Sequence, residues 1–197
     1  MLETICYQFG IPDTRRMHVA LLYEQAFGDK LALAIPRREA RLLLLAESRN
    51  LQVAAAIQRG RVLGVASFES MLGGLCREFS FRHLYARLGF MGALRARCVL
   101  ALLGRTEAPA ELLLDGLIVA RGARGRGLGR GLLDRIDQIA RAQGCSEIRL
   151  DVVDRAHHAL PDYERLGFEP RRSGWTGLLC RMLGLHSATS FVLRLPR

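Results

Sequence analysis

One stretch constrains this chain more than any other. Residues 111–131 read ELLLDGLIVARGARGRGLGRG, and LLDRIDQIARAQG follows directly. The apolar run 112–119 predicts a strand that stops at a loop crowded with glycine and arginine. A helical pattern begins at once after that loop, because apolar residues recur on one helical face at Leu132, Leu133, Ile136, Ile139 and Ala140. The sequence therefore predicts a strand, a glycine-rich turn and a helix in immediate succession.

Such a turn is a favourable place for an anion. The first N–H groups of a helix have no intrahelical partner, and the helix dipole favours negative charge at that end. Glycine has no Cβ to hold a phosphate away from the backbone, and it tolerates positive φ. We therefore interpret residues 124–129 as a cradle for a diphosphate, to which Arg124, Arg126 or Arg130 adds charge-assisted contacts.

The spacing of the loop excludes two common nucleotide motifs. A P-loop needs GxxxxGK[ST], but the only lysine in the chain is Lys30. The dinucleotide fingerprint GxGxxG would need glycine at position 130 after Gly125 and Gly127, and Arg130 stands there.

The loop sequence Arg124-Gly125-Arg126-Gly127-Leu128-Gly129 resembles the [Q/R]xxGx[G/A] signature of the GNAT family of N-acetyltransferases, whose loop binds the pyrophosphate of coenzyme A. Downstream, residues 148–153 are similar to the fifth strand of that family, and YERLGF at 163–168 resembles its YExLGF helix end. The resemblance covers residues 50–70 and 110–170 well.

The resemblance implies a mixed α/β (α+β) fold with one N-acetyltransferase domain over residues 1–197. Its sheet is twisted and mostly antiparallel, with one splayed parallel pair, and helices flank it. Two segments lie outside the family pattern: a helical insertion around 70–109 and an apolar, glycine-rich one around 173–188. The insertion around 70–109 has three possible interpretations: a helical layer of the core, a wall of the acceptor site, or a basic surface that contacts a membrane or a partner.

The rest of the chain supplies further elements. Residues 4–9 predict a first strand, and Asp13 is the predicted N-cap of a helix that Gly28 closes. Pro36 predicts the start of a second helix. The segments 51–57 and 62–68, joined by a turn at Arg59-Gly60, predict a β-hairpin. Within 70–109, the apolar pattern predicts two helices broken near residues 89–92.

By resemblance, coenzyme A lies between the fourth strand, 112–119, and the fifth, 148–153. The implied partners of its pantetheine amides are the backbone groups of Leu117, Ile118 and Val119. The implied pyrophosphate site comprises Arg124, Gly125, Arg126, Gly127, Leu128, Gly129 and Arg130.

An attacking amine must lose its proton, which requires a base or a water path. Asp115 is the first candidate base because its strand borders the reacting carbonyl; Asp151 and Glu147 are alternatives, as is Glu111. Period-two alternation predicts one strand face with Glu111, Leu113 and Asp115 and the other with Leu112, Leu114 and Gly116.

Tyr163 occupies the position of the tyrosine that protonates the departing thiolate in the resembling family. The chain departs from the family pattern just before it, where Ala156 replaces the usual asparagine and Pro161-Asp162 replaces Ala-Leu or Arg-Leu. His157 and His158 stand in the same segment, and their spacing predicts no metal site.

The net charge and the cysteine content limit the expected ligands and the expected cellular compartment. The formal net charge of +10 favours anionic ligands, among them acetyl-CoA and, on charge alone, nucleic acid. The five cysteines are scattered and odd in number, so we expect reduced thiols in a cytoplasmic protein. We also expect no signal peptide and no transmembrane segment.

The predicted activity is direct acetyl transfer from acetyl-CoA to a primary amine of a small molecule or peptide. The alternative is a non-catalytic module that binds coenzyme A or nucleic acid, and a homodimer is compatible with either.

Overall fold

The computed structural model describes residues 4–48, 52–69, 79–103, 110–153, 160–171 and 188–196. In these residues seven strands form one sheet in the order β1-β2-β3-β4-β5-β7-β6. The strands are β1 Cys6–Phe9, β2 Val53–Gln58, β3 Arg61–Glu69, β4 Glu111–Val119, β5 Glu147–Val153, β6 Glu169–Arg171 and β7 Ala188–Arg194. All neighbours pair antiparallel except β4 and β5, which are parallel. The predicted fold class is confirmed.

Helices cover both faces of this sheet. They are α1 Arg16–Ala32, α2 Arg38–Glu47, α3 Phe81–Leu103, α4 Leu128–Ala142 and α5 Leu160–Arg165. On one face α1, α2 and α3 bury a cluster around Tyr23, Ile35 and Leu84. On the other, the predicted apolar side of α4 packs against β2, β3 and β4, with Leu132 and Ile136 fully buried. No helix in the described residues is both long and apolar enough to cross a membrane.

The first insertion contains α3, which the sequence predicted as two helices. The helix is interrupted at Gly89, whose φ of 71° and ψ of 177° are not helical. Residues 70–78 and 104–109 of this insertion lie outside the described residues, and so do 172–187, which hold nearly all of the second one.

The predicted ends of the first helix were wrong at both termini. Asp13 begins a 3-10 turn before α1, and its carboxylate accepts a hydrogen bond from Arg16 Nε at 2.6 Å instead of capping the helix. At the other end α1 continues through Gly28 to Ala32. A Cβ on Gly28 would lie 3.0 Å from the Glu24 carboxyl group, so this glycine serves close packing and does not end the helix.

Strand β4 contains a bulge that the period-two prediction missed. On β3, Ser67 pairs with Gly116 and the next residue pairs with Leu114, so Asp115 is the extra residue. Leu112 and Leu114 face α4, whereas Gly116 faces Phe27 of α1. The prediction that Gly116 shares a face with Leu112 and Leu114 was wrong, because the bulge shifts the alternation by one residue.

The bulge lies where β4 separates from β5. The parallel pairing joins residues 111–114 of β4 to 147–150 of β5. Beyond it, β4 stays paired with β3 as far as Val119, and β5 stays paired with β7 as far as Val153. The two parallel strands therefore diverge after Leu114, as a wedge-shaped ligand site requires.

Gly116→Ala is expected to destabilise the fold by about 1–3 kcal/mol, the cost typical of overpacking. Its new Cβ would lie 2.5 Å from Cζ of Phe27, so the ring must move out of its packed position. Urea unfolding followed by circular dichroism measures the change. Gly122→Ala is the matched control, since a Cβ there has no atom within 4 Å. Equal midpoints for the two variants would contradict the predicted steric conflict.

Candidate active site

The glycine–arginine loop has the backbone conformation that the sequence predicted. Gly125 and Gly127 have φ of 74° and 76°, in the left-handed region that disfavours other residues. Gly127 is the N-cap of α4, and within the described residues no side chain caps this helix and no acidic residue stands in its first turn. The first N–H groups of α4 thus remain available to an anion beside the loop.

Packing against the sheet fixes the position of the first turn of α4. Leu128, the first residue of α4, is 1% exposed and packs in the core of this sheet face. One turn further, Gly131 lies so close to Tyr7 of β1 that a Cβ would meet the phenol ring at 2.3 Å. The loop therefore leads into a helix start that is closely packed against the sheet.

Three arginines of the loop point to solvent and make exposed contacts. Arg124 Nε donates to the carbonyl of Val119 at 3.3 Å, and Arg126 Nη2 donates to Gln58 Oε1 at 2.9 Å. Arg130 Nε pairs with Asp134 at 3.0 Å, four residues along α4. These contacts are weak at the surface, so an anion can replace them at little cost.

Leu117, Ile118 and Val119 line the opening between the strands. On one side they pair with β3, opposite Ala66, Val65 and Gly64. On the β5 side the described ladder ends at Leu114. Among the described residues no strand pairs with this segment on the β5 side, and the one side-chain bond to its backbone is that of Arg124 to the Val119 carbonyl, so the segment can accept an added strand-like ligand.

The four candidate carboxylates differ in their partners. Glu111 is ion-paired with Arg149 at 2.7 Å and with Arg171 at 3.3 Å, and its side chain is fully buried. Glu147 pairs with Arg171 at 2.9 Å, and Asp151 accepts a hydrogen bond from Ser190 Oγ at 2.5 Å. These three have structural partners.

Asp115 is different. It lies on the β4 bulge and is partly exposed, and among the described residues no hydrogen bond or ion pair engages its carboxylate. A carboxylate at the edge of the opening is thereby left available to accept a proton.

Tyr163 lies on α5, after the end of β5. Its ring packs edge-on against Phe168, with 6.1 Å between centroids. Burial raises the pKa of the Tyr163 phenol, and the nearby Asp162 raises it further, so the hydroxyl stays protonated throughout the neutral range. No hydrogen bond joins Tyr163 to Asp115 in the part of the chain that the structure describes. Ala156, His157 and His158, which precede α5, lie outside that part.

Sequence reasoning missed two buried side chains on the sheet face that Gly116 borders. Tyr23 of α1 and Ser67 of β3 are buried on the same sheet face as Gly116, and the hydroxyl oxygen of each lacks a hydrogen-bond partner in the described residues. Desolvation and the Asp115 charge raise the pKa of Tyr23 above its ordinary range. An isolated glycine within a strand pattern, here Gly116, is the signal that could have indicated the bulge.

The described residues contain no group of three or more His, Cys, Asp or Glu side chains placed to hold a metal ion. The chemistry that the site can perform is anion binding at the helix start and proton exchange at Asp115 and Tyr163.

Comparison with known proteins gives one family. The sequence model described as "Acetyltransferase (GNAT) family" matches residues 22–168. This range includes the glycine–arginine loop, both diverging strands and Tyr163.

Individual relatives match over shorter stretches. Mouse N-alpha-acetyltransferase 80 is 35% identical over 63 residues, 32% of this chain and 19% of that protein. Glucosamine 6-phosphate N-acetyltransferase of Trypanosoma brucei brucei is 34% identical over 55 residues, 28% of this chain and 35% of that protein. The matched stretches therefore span about a fifth and a third of these relatives.

Solved structures of low sequence identity share the fold. The paia N-acetyltransferase of Thermoplasma acidophilum, in complex with coenzyme A, aligns with a TM-score of 0.58 at 10% identity. The alignment covers 97% of this chain and 99% of that one.

Proposed function

The chain belongs to the GNAT family of acetyltransferases, and on that premise we propose that it transfers an acetyl group directly from acetyl-CoA to a primary amine. The observation that carries the proposal is the uncapped start of α4, with Gly125 and Gly127 at positive φ, beside the opening between β4 and β5. A diphosphate and a peptide-like arm are the two groups that these features suit, and acetyl-CoA has both.

The polar groups of the loop, of the first turn of α4 and of β4 match the chemical groups of acetyl-CoA. The amides of 124–129 and the first turn of α4 offer donors to the pyrophosphate, and Arg124, Arg126 and Arg130 offer positive charge. Backbone groups of 117–119 on the β5 side offer both donors and acceptors to the pantetheine amides. The thioester then lies toward the bulge, close to Asp115.

The reaction needs two proton transfers. The amine nitrogen attacks the thioester carbonyl and forms the new C–N bond, while its proton passes to the base. The C–S bond then breaks, and the thiolate takes a proton from an acid. We assign the base to Asp115, because Glu111, Glu147 and Asp151 are engaged in ion pairs or hydrogen bonds. We assign the acid to Tyr163, whose raised pKa keeps its proton available.

The primary amine is favoured by the names of the relatives. N-alpha-acetyltransferase 80 and glucosamine 6-phosphate N-acetyltransferase both acetylate nitrogen. The net charge of +10 is compatible with an acceptor that carries phosphate or acidic groups as well as its amine. Within this class, small molecules and peptide amines are both candidates.

Calorimetric titration with acetyl-CoA tests the proposal, with ATP and NAD as controls. We expect saturable binding of acetyl-CoA in the micromolar range, and release of free coenzyme A thiol with at least one member of a panel of primary amines. The panel contains glucosamine 6-phosphate, polyamines, amino acids and peptides with free N-termini. Failure of a folded, ligand-free protein to bind acetyl-CoA would exclude the enzyme, and tight, salt-dependent binding of nucleic acid instead would support the alternative module.

Tyr163→Phe is expected to lower kcat by about a hundred- to ten-thousandfold while leaving the affinity for acetyl-CoA unchanged, because only proton donation to the thiolate is lost. Steady-state kinetics by thiol release, with calorimetry alongside, measure both quantities. Tyr85→Phe is the control, since Tyr85 lies exposed on α3 far along the chain from the loop.

The raised pKa of Tyr163 predicts how the rate depends on pH. The pKa of Tyr163 is raised, so its phenol remains protonated at and below its ordinary pKa of about 10. The wild-type rate should therefore show no fall from Tyr163 ionisation between neutral pH and about 9. An alkaline decline in that range that vanishes in Tyr163→Phe would mean that the phenol ionises below its ordinary pKa, and would contradict the raised pKa of Tyr163.

A further inference from the structure

The solvent-facing side of α3 is unusually apolar. Of the large apolar residues that are exposed in the described part of the chain, five lie on α3 and three elsewhere. Exposed apolar side chains that are scattered singly are ordinary, whereas a group of them on one surface marks an interaction site. Met91 is the most exposed of the group at 73%. The five residues are Phe81, Tyr85, Phe90, Met91 and Leu94.

These residues form one surface that continues across the break at Gly89. The ring of Phe81 stacks on that of Tyr85 with 6.5 Å between centroids, and it meets Phe90 edge-on at 6.1 Å from the other half of the helix. Leu94 follows Phe90 by four residues and therefore lies one turn further along the same side. Helix α3 thus has two apolar sides, one facing solvent and one packed on the protein. The packed side includes Ala93, Ala96 and Leu100.

Arginines border the exposed apolar surface on both edges. By helical spacing, Arg97 lies beside Leu94 on one edge and Arg95 lies beside Met91 on the other. Among the described residues no hydrogen bond or ion pair engages Arg97, and Arg95 donates to the Leu33 carbonyl at 3.3 Å. The whole of α3 contains four arginines and no acidic residue. Its outer side is therefore apolar at the centre and positive at the rim.

We propose that the outer side of α3 binds the surface of a membrane that contains anionic lipids. Phe90, Met91 and Leu94 enter the boundary between head groups and acyl chains, and Arg95 and Arg97 contact the lipid phosphates. Arginine side chains are long enough to keep their charge among the head groups while their stems cover apolar surface. Because the packed side of α3 stays on the core, the helix lies along the membrane surface.

The chemistry of this side favours a lipid over other occupants. A second copy of the chain would bring identical arginines against the first set, and α3 has no acidic residue to pair with them. Nucleic acid would account for the arginines, but it leaves Met91 and Leu94 unexplained, since single-stranded nucleic acid stacks on aromatic side chains. An anionic lipid offers both a phosphate and a hydrocarbon chain. The proposal is independent of acetyl transfer, because no residue of the proposed active site belongs to α3.

Phe90→Ser is the test variant, and Phe9→Ser is its matched control. The two residues are 58% and 51% exposed, and each packs against another ring, Phe90 on Phe81 at 6.1 Å and Phe9 on Phe68 at 6.2 Å. Phe68 belongs to the core on the α4 side of the sheet, so Phe9→Ser makes the same change away from α3. Cosedimentation with vesicles of phosphatidylcholine and phosphatidylglycerol measures binding. We expect a loss of about tenfold in Phe90→Ser and less than about twofold in Phe9→Ser.

The contribution of charge is measured separately with the same vesicles. The double variant Arg95→Ala/Arg97→Ala should bind about tenfold more weakly or worse, because each arginine near an anionic surface adds to the attraction. Arg61→Ala/Arg141→Ala is the control, since it lowers the net charge equally at positions on β3 and α4. Vesicles of phosphatidylcholine alone should bind the wild type at least about tenfold more weakly than the mixed vesicles.

The Tm of every variant is measured beside its vesicle affinity. If Phe90→Ser lowers the Tm, Met91→Ser repeats the test at the most exposed position of the surface. Absence of wild-type binding to the mixed vesicles overturns the proposal, and so do equal losses in the test and control variants. Sedimentation velocity and titration with single-stranded DNA examine the other occupants. A dimer that Phe90→Ser dissociates, or DNA binding that Phe90→Ser abolishes, would assign this surface to a second copy or to nucleic acid and would also overturn the lipid proposal.

Discussion

Gly127→Glu should weaken acetyl-CoA binding by about a hundredfold or more, which corresponds to roughly 2.7 kcal/mol. The substitution places a Cβ and a carboxylate at the N-cap of α4, where the pyrophosphate would lie. Like charges repel there, and the helix dipole now stabilises the protein's own carboxylate in place of the ligand. Calorimetric titration with acetyl-CoA measures the loss directly.

The chain offers an unusually close control for this substitution. Gly144 follows the other end of α4, has φ of 74° against 76° at Gly127, and likewise has no atom within 4 Å of an added Cβ. Gly144→Glu therefore imposes the same backbone strain and the same charge change without touching the loop. The two variants should lose similar stability, and only Gly127→Glu should lose affinity. Equal affinities would show that the loop does not bind the pyrophosphate.

Glu24→Gln should destabilise the protein by about 3 kcal/mol, the lower end of the range for removing one partner of a buried ion pair. Arg41 Nη2 and Nε donate to the two Glu24 oxygens at 2.5 Å and 2.9 Å, and both side chains are less than 10% exposed. The neutral amide leaves the Arg41 charge buried without its counter-ion. Guanidinium unfolding at neutral pH measures the difference.

This pair matters because it fixes the turn between the first two helices. Arg41 Nη1 also donates to the carbonyls of Ile35 at 2.7 Å and Pro36 at 2.8 Å, which otherwise have no helical partner. Asp134→Asn is the control, since its pair with Arg130 lies on the exposed face of α4 and should be worth no more than about 0.5 kcal/mol. A loss in Glu24→Gln as small as that in Asp134→Asn would contradict the structural role of the pair.

The elements that the sequence predicted well are those with strong local signals. The hairpin β2–β3 follows from two apolar runs and the Arg59-Gly60 turn, where both residues have positive φ. Strand β4, its loop and α4 follow from an apolar run, closely spaced glycines and a 3.6-residue period. The break in α3 at Gly89 follows from composition as well. Each of these signals acts within about ten residues.

The errors have a common origin in contacts between distant segments. Gly28 resembles a helix terminator, but it accommodates Glu24, which Arg41 holds from the next helix. Alternation along β4 fails at Asp115, because the pairing with β3 shifts between Ser67 and the following residue. The partners that make Glu111, Glu147 and Asp151 unsuitable bases come from β5, β6 and β7.

The amino-acid order alone thus determined the strand, loop and helix start that we propose as the anion cradle, since they are adjacent in the chain and their conformations are set by local sterics and hydrogen bonding. Only the tertiary structure decided which of the four candidate carboxylates have partners, and in the part of the chain that the structure describes no hydrogen bond or ion pair engages Asp115. Strand register places Ser67 opposite Gly116, and the packing of α1 buries Tyr23 in the cluster on that face of the sheet. Register depends on the pairing of whole strands and on burial of whole faces, which no short segment encodes by itself.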